Sequence, residues 1–296
     1  MFGRVPDPRD RRGLRHALPM VLAVAVAAVL AGARSFTAMG EWAADQDPHV
    51  MAQLGVGAAG RPSESTLRRV LTAVDGQILD ELVGALLWTR TALVAERRVI
   101  ALDGKTGRGA RARNRGGRDA PHLIAAFDHH HAAVVGQVAV AAKSNEIPAV
   151  RTLLASFDLS DTVVTVDAMH TQTDTARAIT GAGGDYVFTV KSNQPTLYRA
   201  CKNLPWTDVP AHSAASTGHG RRARRTIKVI DAPAWVTFTG ATQVAQIRRT
   251  VTRAGKKSVE VVYVITSADP ASAPPATLAA WVQGHWAIEV RHEVAL

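Results

Sequence analysis

The sequence predicts an α/β chain: a helical N-terminal segment followed by a mixed β-sheet with flanking helices. Three observations point there. Two short apolar runs, VIAL at 99–102 and TVVTV at 162–166, each end in an aspartate, Asp103 and Asp167, and the second opens into a helical pattern through Ala176, Arg177 and Ile179. Between them, HLIAAFDHHHAAVVGQVAVA reads as a β-hairpin and SNEIPAVRTLLASF as a crossover helix, which fits a mixed sheet. Ahead of both, residues 35–87 carry a helical pattern.

Composition bounds the possibilities. At 296 residues with 47% hydrophobic content, the chain has material for about two structural units with buried cores. A formal charge of +10 and a pI near 10.4 point to a polyanionic partner, because basic surface neutralises phosphate and releases counterions. Only seven of the 35 cations are lysine, so most present the fork that binds phosphate bidentately, although a GC-rich gene would also enrich arginine. Cys201 is the single cysteine, which excludes an intrachain disulfide and a cysteine zinc site and suits a reducing cytoplasm.

The first element is an apolar run from Ala17 to Ala31 behind a basic start that includes Arg11 and Arg12. It imitates an export leader, but it is shorter than the roughly 20 residues of a membrane-spanning helix, and a buried core helix is the expectation. Next, Ser63 or Ser65 caps a helix whose Leu67, Val70, Leu71 and Val74 form one apolar face. Arg68 and Arg69 flank that face, either as solvated charge or as part of a helix-turn-helix reader of DNA.

The stretch from Arg97 to Arg118 carries eight cations around Asp103, and Asp103 and Gly104 read as turn formers closing the VIAL strand. A carboxylate among cations suits a divalent ion bridging to phosphate, and equally suits a capped turn in a solvated loop. Asp167 repeats the construction, with Thr171 or Thr173 as cap of the helix that follows. Two acids at neighbouring strand ends are how a metal site is assembled from distant sequence. Ser144 or Asn145 is expected near the cap of the crossover helix. His129, His130 and His131 belong to the hairpin turn, since consecutive residues on a strand point to opposite sides and seldom converge on one ion.

Further on, DYVFTVKSNQPTLY is a strand and a loop in which Lys191 suits a phosphate and Asn193 and Gln194 suit a base or backbone contact. About residues 211–266 the chain turns polar, basic and strand-like, a β-rich insertion with Arg221, Arg222, Arg224 and Arg225 behind His219 at its start. A second basic group follows at Arg248, Arg249, Arg253, Lys256 and Lys257. Charge of one sign in separate clusters favours DNA over a solvated edge. The last helix, TLAAWVQGHWAIEVRHEVAL, sets His285 and Glu289 four apart on one face, with Glu293 one turn further.

IALDGKT, TVDAMHTQ, YVFTVKSNQPTLY, TGHGRRARRT and HWAIE resemble, in order and spacing, the Asp-Asp-Glu transposases of bacterial insertion sequences, in particular the ISAs-type branch with the H-repeat-associated proteins. The N-terminal stretches DPRDRRGLRHALPMVLA, GARSFTAMGEWA and RPSESTLRRVL resemble that family's associated domain. The resemblance implies a helical associated domain over 1–95 and a ribonuclease-H-like catalytic domain over 96–296, with the insertion before the last catalytic helix. It implies that Asp103, Asp167 and Glu289 bind two Mg²⁺ ions, for which Mn²⁺ substitutes, and cleave and transfer DNA strands. Glu289 is preferred to Glu293 because HWAIE matches the family. Lys105, Lys191, Arg221, Arg222, Arg224, Arg225 and His285 are the candidate DNA contacts. The implied partners are double-stranded DNA, at transposon ends and target, and a second copy of the chain, with no membrane and a cytoplasmic, nucleoid-associated setting. Relatives continue from the IE pair through an Asn and a second His-Trp element. Here Val290 follows and the chain stops at Leu296, which predicts C-terminal truncation and opens the alternative of an inactive remnant that only binds DNA.

Overall fold

The computed structural model describes residues 2–90, 97–106, 122–140, 146–218 and 221–292. The chain divides into two compact units, residues 1–86 and 87–296.

The first unit is helical: α1 (Leu18–Leu30), α2 (Phe36–Asp45), α3 (Pro48–Gln53), α4 (Glu64–Leu71) and most of α5 (Gly76–Arg90). α1 is apolar nearly all round because it is a core helix: Val21, Leu22, Val24 and Ala28 are fully buried. Leu67 and Val70 of α4 and Met51 of α3 join its core cluster. Among the described residues no helix is long and apolar enough to cross a membrane. Of the two candidate serines, Ser63 is the cap, accepting from the Thr66 amide. Arg68 pairs with Glu64 and lies 5.0 Å over the Phe36 ring, so this cation is engaged within the unit.

The second unit is built on one nine-stranded mixed sheet in the order β3-β2-β1-β4-β5-β9-β8-β7-β6. β1 (Arg98–Thr106), β2 (His122–Asp128) and β3 (Ala133–Val140) form an antiparallel meander. α6 (Glu146–Leu154) crosses to β4 (Thr162–Val166), which lies parallel to β1, and α7 (Thr173–Gly181) crosses to β5 (Asp185–Val190), parallel to β4. This mixed sheet with flanking helices is the ribonuclease-H-like architecture that the resemblance implies. All five residues of β4 are buried, which is why its sequence is β-branched throughout rather than alternating. Ile100, Leu102, Ile124, Val164, Val166 and Phe188 pack on one sheet face with Val150 and Leu153 of α6 and Ile179 of α7.

After α8 (Pro195–Lys202), an antiparallel ribbon follows: β6 (Ala211–Gly218), β7 (Arg221–Asp231), β8 (Gln243–Arg253) and β9 (Lys256–Thr266). The ribbon is not a separate body, because β9 pairs with β5 and extends the same sheet. α9 (Pro275–His292) then returns across the second sheet face, where Leu278 and Val282 pack on Val163, Val187, Ile227, Ala245 and Val264.

Two local expectations are corrected. Asp103 and Gly104 do not turn the chain. β1 runs on to Thr106 because β2 keeps pairing with it, Asp103 opposite Ala125 and Thr106 opposite His122. The cap of α7 is Gln172, neither Thr171 nor Thr173; the Thr171 hydroxyl instead donates to the Thr189 carbonyl of β5 at 2.7 Å. The expected caps Ser144 and Asn145 lie outside the described residues.

Candidate active site

Parallel pairing of β1 with β4 sets Leu102 beside Val166, so Asp103 and Asp167 follow side by side at the same edge of the sheet. Asp167 ends its strand and precedes a single 3₁₀ turn, Ala168–His170, yet its carboxylate does not cap that turn. One oxygen instead lies 3.1 Å from the Lys191 ammonium at the end of β5. The loop after β5 pins this turn: Asn193 Nδ2 donates to the Ala168 carbonyl at 2.8 Å and Gln194 Nε2 to the Thr171 carbonyl at 2.9 Å. The amides expected to meet a base are therefore used inside the protein, holding Asp167 in place.

The two acids are pushed apart in acidity. Burial raises Asp103, the Lys105 charge and the Gly104 amide oppose this, and the fields of Glu146 and Asp167 raise it further, leaving it above the ordinary carboxylate value. Burial also pushes Asp167 upward, but the Ala168 amide and Lys191 outweigh it and leave Asp167 below that value. Two carboxylates in one field, with a lysine on one of them, form a hard oxygen donor set that suits a divalent cation. Among the described residues, however, no group of three or more His, Cys, Asp or Glu is arranged to hold a metal. Glu289 lies on α9, one turn beyond His285, with its side chain outside the described part, and Glu293 is outside it altogether.

His285 is not placed as the expected DNA contact. It is buried under α9 with Nδ1 2.9 Å from the Thr165 hydroxyl, and burial holds it down at about 4, so it is a neutral imidazole. A phosphate needs an accessible cation, and this ring is neither accessible nor charged. His129 of the hairpin turn packs beside it, 3.4 Å from the same hydroxyl and likewise lowered to about 4 by burial. Gly284 makes room, since a Cβ there would collide with the His129 ring.

Sequence reasoning passed over Glu146, His122 and His170. Glu146 opens α6, with Oε1 2.6 Å from His122 Nε2 and Oε2 3.1 Å from His170 Nε2. Its carboxylate rests on Gly104, where a Cβ would come within 2.6 Å of Oε2. One side chain thus ties together the start of β2, the residue after Asp103 and the end of the turn after Asp167. The signal lay in the motifs themselves, as the Gly of LDG and the His of DAMH, but nothing local joins them to an acid in another segment.

The cations divide. Arg97 is 2.7 Å from Asp185, and Arg98, buried in β1, lies 3.8 Å over the Trp88 ring and 3.8 Å from Asp128, so these two hold structure together. Lys105 lies on β1 two residues past Asp103. Arg108, Arg111, Arg113, Arg115, Arg118 and His219 fall outside the described residues. In the ribbon, strand alternation sets Arg222 and Arg224 on one face and Arg225 on the other, beneath α9; Arg221 opens β7 with its side chain outside the described part.

Residues 95–294 match the family model described as Transposase DDE domain, and residues 1–87 match the one described as DDE_Tnp_1-associated. The chain belongs to the DDE transposase family. It is of the ISAs, H-repeat-associated type. YbfL of Escherichia coli (strain K12) is 32% identical over 96% of this chain and 78% of its own. From the same organism, the H repeat-associated proteins YhhI and YbfD are each 31% identical, YhhI over 96% of this chain and 78% of its own, YbfD over 77% and 92%. Among solved structures, the piggyBac transposase synaptic complex with hairpin DNA aligns at a TM-score of 0.41 and 12% identity, over 93% of this chain and 57% of that one.

Proposed function

We propose that this transposase binds the ends of its insertion sequence and cleaves and transfers DNA strands with divalent metal, Asp103 and Asp167 being two of its ligands and Glu289 the third. The observation that carries the reading is the side-by-side emergence of Asp103 and Asp167 from neighbouring parallel strands, with neither carboxylate consumed by a cap. The course of α9 supports Glu289: Leu278 and Val282 pack with Val163, His285 reaches Thr165, and the next turn is about 5 Å further toward the edge where Asp167 stands. Two Mg²⁺ ions, replaceable by Mn²⁺, would supply activation of the attacking hydroxyl and stabilisation of the leaving oxygen.

The chain's own residues prepare that site. Lys191 balances Asp167 and is near enough to the edge to meet a phosphate when DNA arrives. Glu146, through His170 and Gly104, fixes the separation of the segments that bear the two acids. His285 and His129 stay neutral behind the acids and add no positive charge that would compete with a metal. In this reading the protein acts on double-stranded DNA as a pair of copies bridging two ends, in the cytoplasm and on the nucleoid.

The test is nicking and strand transfer on DNA carrying the element's ends, with Mg²⁺ or Mn²⁺, for the wild type and Asp167→Asn. Wild-type activity that disappears in the variant upholds the site. Binding with no cleavage by either protein would instead make the chain a DNA-binding remnant.

A further inference from the structure

The register of the sheet gives the ribbon a position relative to the acids. β9 pairs with β5 only from Tyr263 opposite Val190 to Thr266 opposite Val187. Its earlier residues, Lys256 to Val262, therefore run on past the end of β5, the edge where Lys191, Asp167 and Asp103 emerge. β8 and β7 accompany it, through Arg248 to Arg253 and Arg221 to Thr226. At roughly 3.4 Å per residue this overhang is about 20 Å long, comparable with about six phosphates along one DNA strand.

The two faces of the overhang differ. Arg222, Arg224 and Thr226 of β7 share a face with Arg248 and Thr250 of β8 and Lys257 of β9, and no position of that face between them is acidic. Arg224, Arg248 and Lys257 surround a concavity of about 420 Å³ with the side chains of Thr226 and Thr250 in its wall, and Lys228 at its foot donates to the Trp206 carbonyl. The opposite face also carries cations, Arg253 and Lys256 among them, but there an acid, Glu260, lies 3.9 Å from Arg249, and Arg225 lies among apolar residues under α9.

We propose that the overhanging half of the ribbon is a phosphate-backbone site for duplex DNA, in which Arg222, Arg224, Arg248 and Lys257 grip the strand beside the cleavage edge. It rests on the reading of the chain as a DNA-cleaving transposase and adds the surface and the side of the sheet that hold the substrate. Threonines between the arginines offer hydroxyl donors to the same phosphates. The contacts carry no sequence information, so they set register at the site and leave recognition of the ends to other residues.

The test is the salt dependence of binding to a labelled random-sequence duplex, by fluorescence anisotropy between roughly 50 and 200 mM salt. Arg224→Ala/Arg248→Ala is expected to lower the slope of log affinity against log salt by about two, one for each phosphate that is no longer neutralised. The Arg253→Ala/Lys256→Ala protein, which removes the same charge from the other face, keeps the wild-type slope. Arg224→Gln/Arg248→Gln, which keeps most of the side-chain length, must reproduce the loss if charge rather than packing is responsible. Equal slope changes on both faces, or none on the first, overturn the proposal while wild-type cleavage continues to uphold the transposase reading. A wild-type protein that neither binds this duplex nor nicks DNA carrying the element's ends overturns both.

Discussion

The two halves of the nine-stranded sheet use charge in opposite ways. In the core half, β3 to β5, the central strand β4 is buried on both faces, and the ionisable groups around it are tied to partners: Arg98 to Trp88 and Asp128, Asp167 to Lys191, Glu146 to two histidines. In the ribbon half α9 covers the inner part of one face, and on the outer part of the other the cations stand among hydroxyls with no acid among the described residues. Chemistry requires groups whose separation and protonation are fixed, and burial with directional partners provides that. Grip on a polyanion requires accessible charge, and an overhanging strand face provides that.

Several substitutions press on this contrast. The largest effect is expected from Asp103→Asn, which should abolish metal-dependent nicking while anisotropy shows DNA binding at the wild-type salt slope. The ribbon double variant has the reverse profile, losing slope with its acids intact. Full nicking by Asp103→Asn would break the assignment of the acids to the core half.

In stability, Phe188→Ala, which empties a fully buried position of β5, should cost about 3–5 kcal/mol in urea denaturation. By contrast, Val259→Ala on the ribbon, where the side chain is 46% exposed, should stay within about 0.5 kcal/mol.

The buried histidines add a pH dependence. His129 and His285 are lowered from 6.5 to about 4, so the unfolded chain takes up protons before the folded one does. Stability is therefore complete above 6.5 and is lost as pH falls toward 4, by an upper bound of about 3 kcal/mol for either ring taken alone. Because the two rings repel when charged, the losses do not simply add. Thermal melts above and below the ordinary imidazole value measure this, and a His129→Asn protein should show a shallower decline.

The Glu146→Gln protein tests the support of the acids. Calorimetric Mn²⁺ affinity should fall by about ten- to a hundredfold, as for partners that orient metal ligands, with Glu146→Asp recovering part of it. An unchanged affinity in Glu146→Gln would remove Glu146 from the site and leave it as a tie between β2 and the turn after Asp167.

The amino-acid sequence by itself determined the elements and the repeated strand-then-aspartate construction. Both are local: β-branched runs make buried strands, apolar spacing makes helices, and ordered motifs such as IALDGKT and TVDAMHTQ carry the family. The remaining features depend on pairing between distant segments. Continued pairing with β2 turned Asp103 and Gly104 from turn formers into strand. Packing under α9 made His285 a neutral buried ring rather than a phosphate contact, and the loop after β5 drew Asn193 and Gln194 inward. Glu146 reached the site because α6 docks where Gly104 lacks a side chain. The offset of β9 along β5 carried the basic ribbon past the edge of the acids, since strand register is set by which faces are buried and no local stretch of chain encodes it.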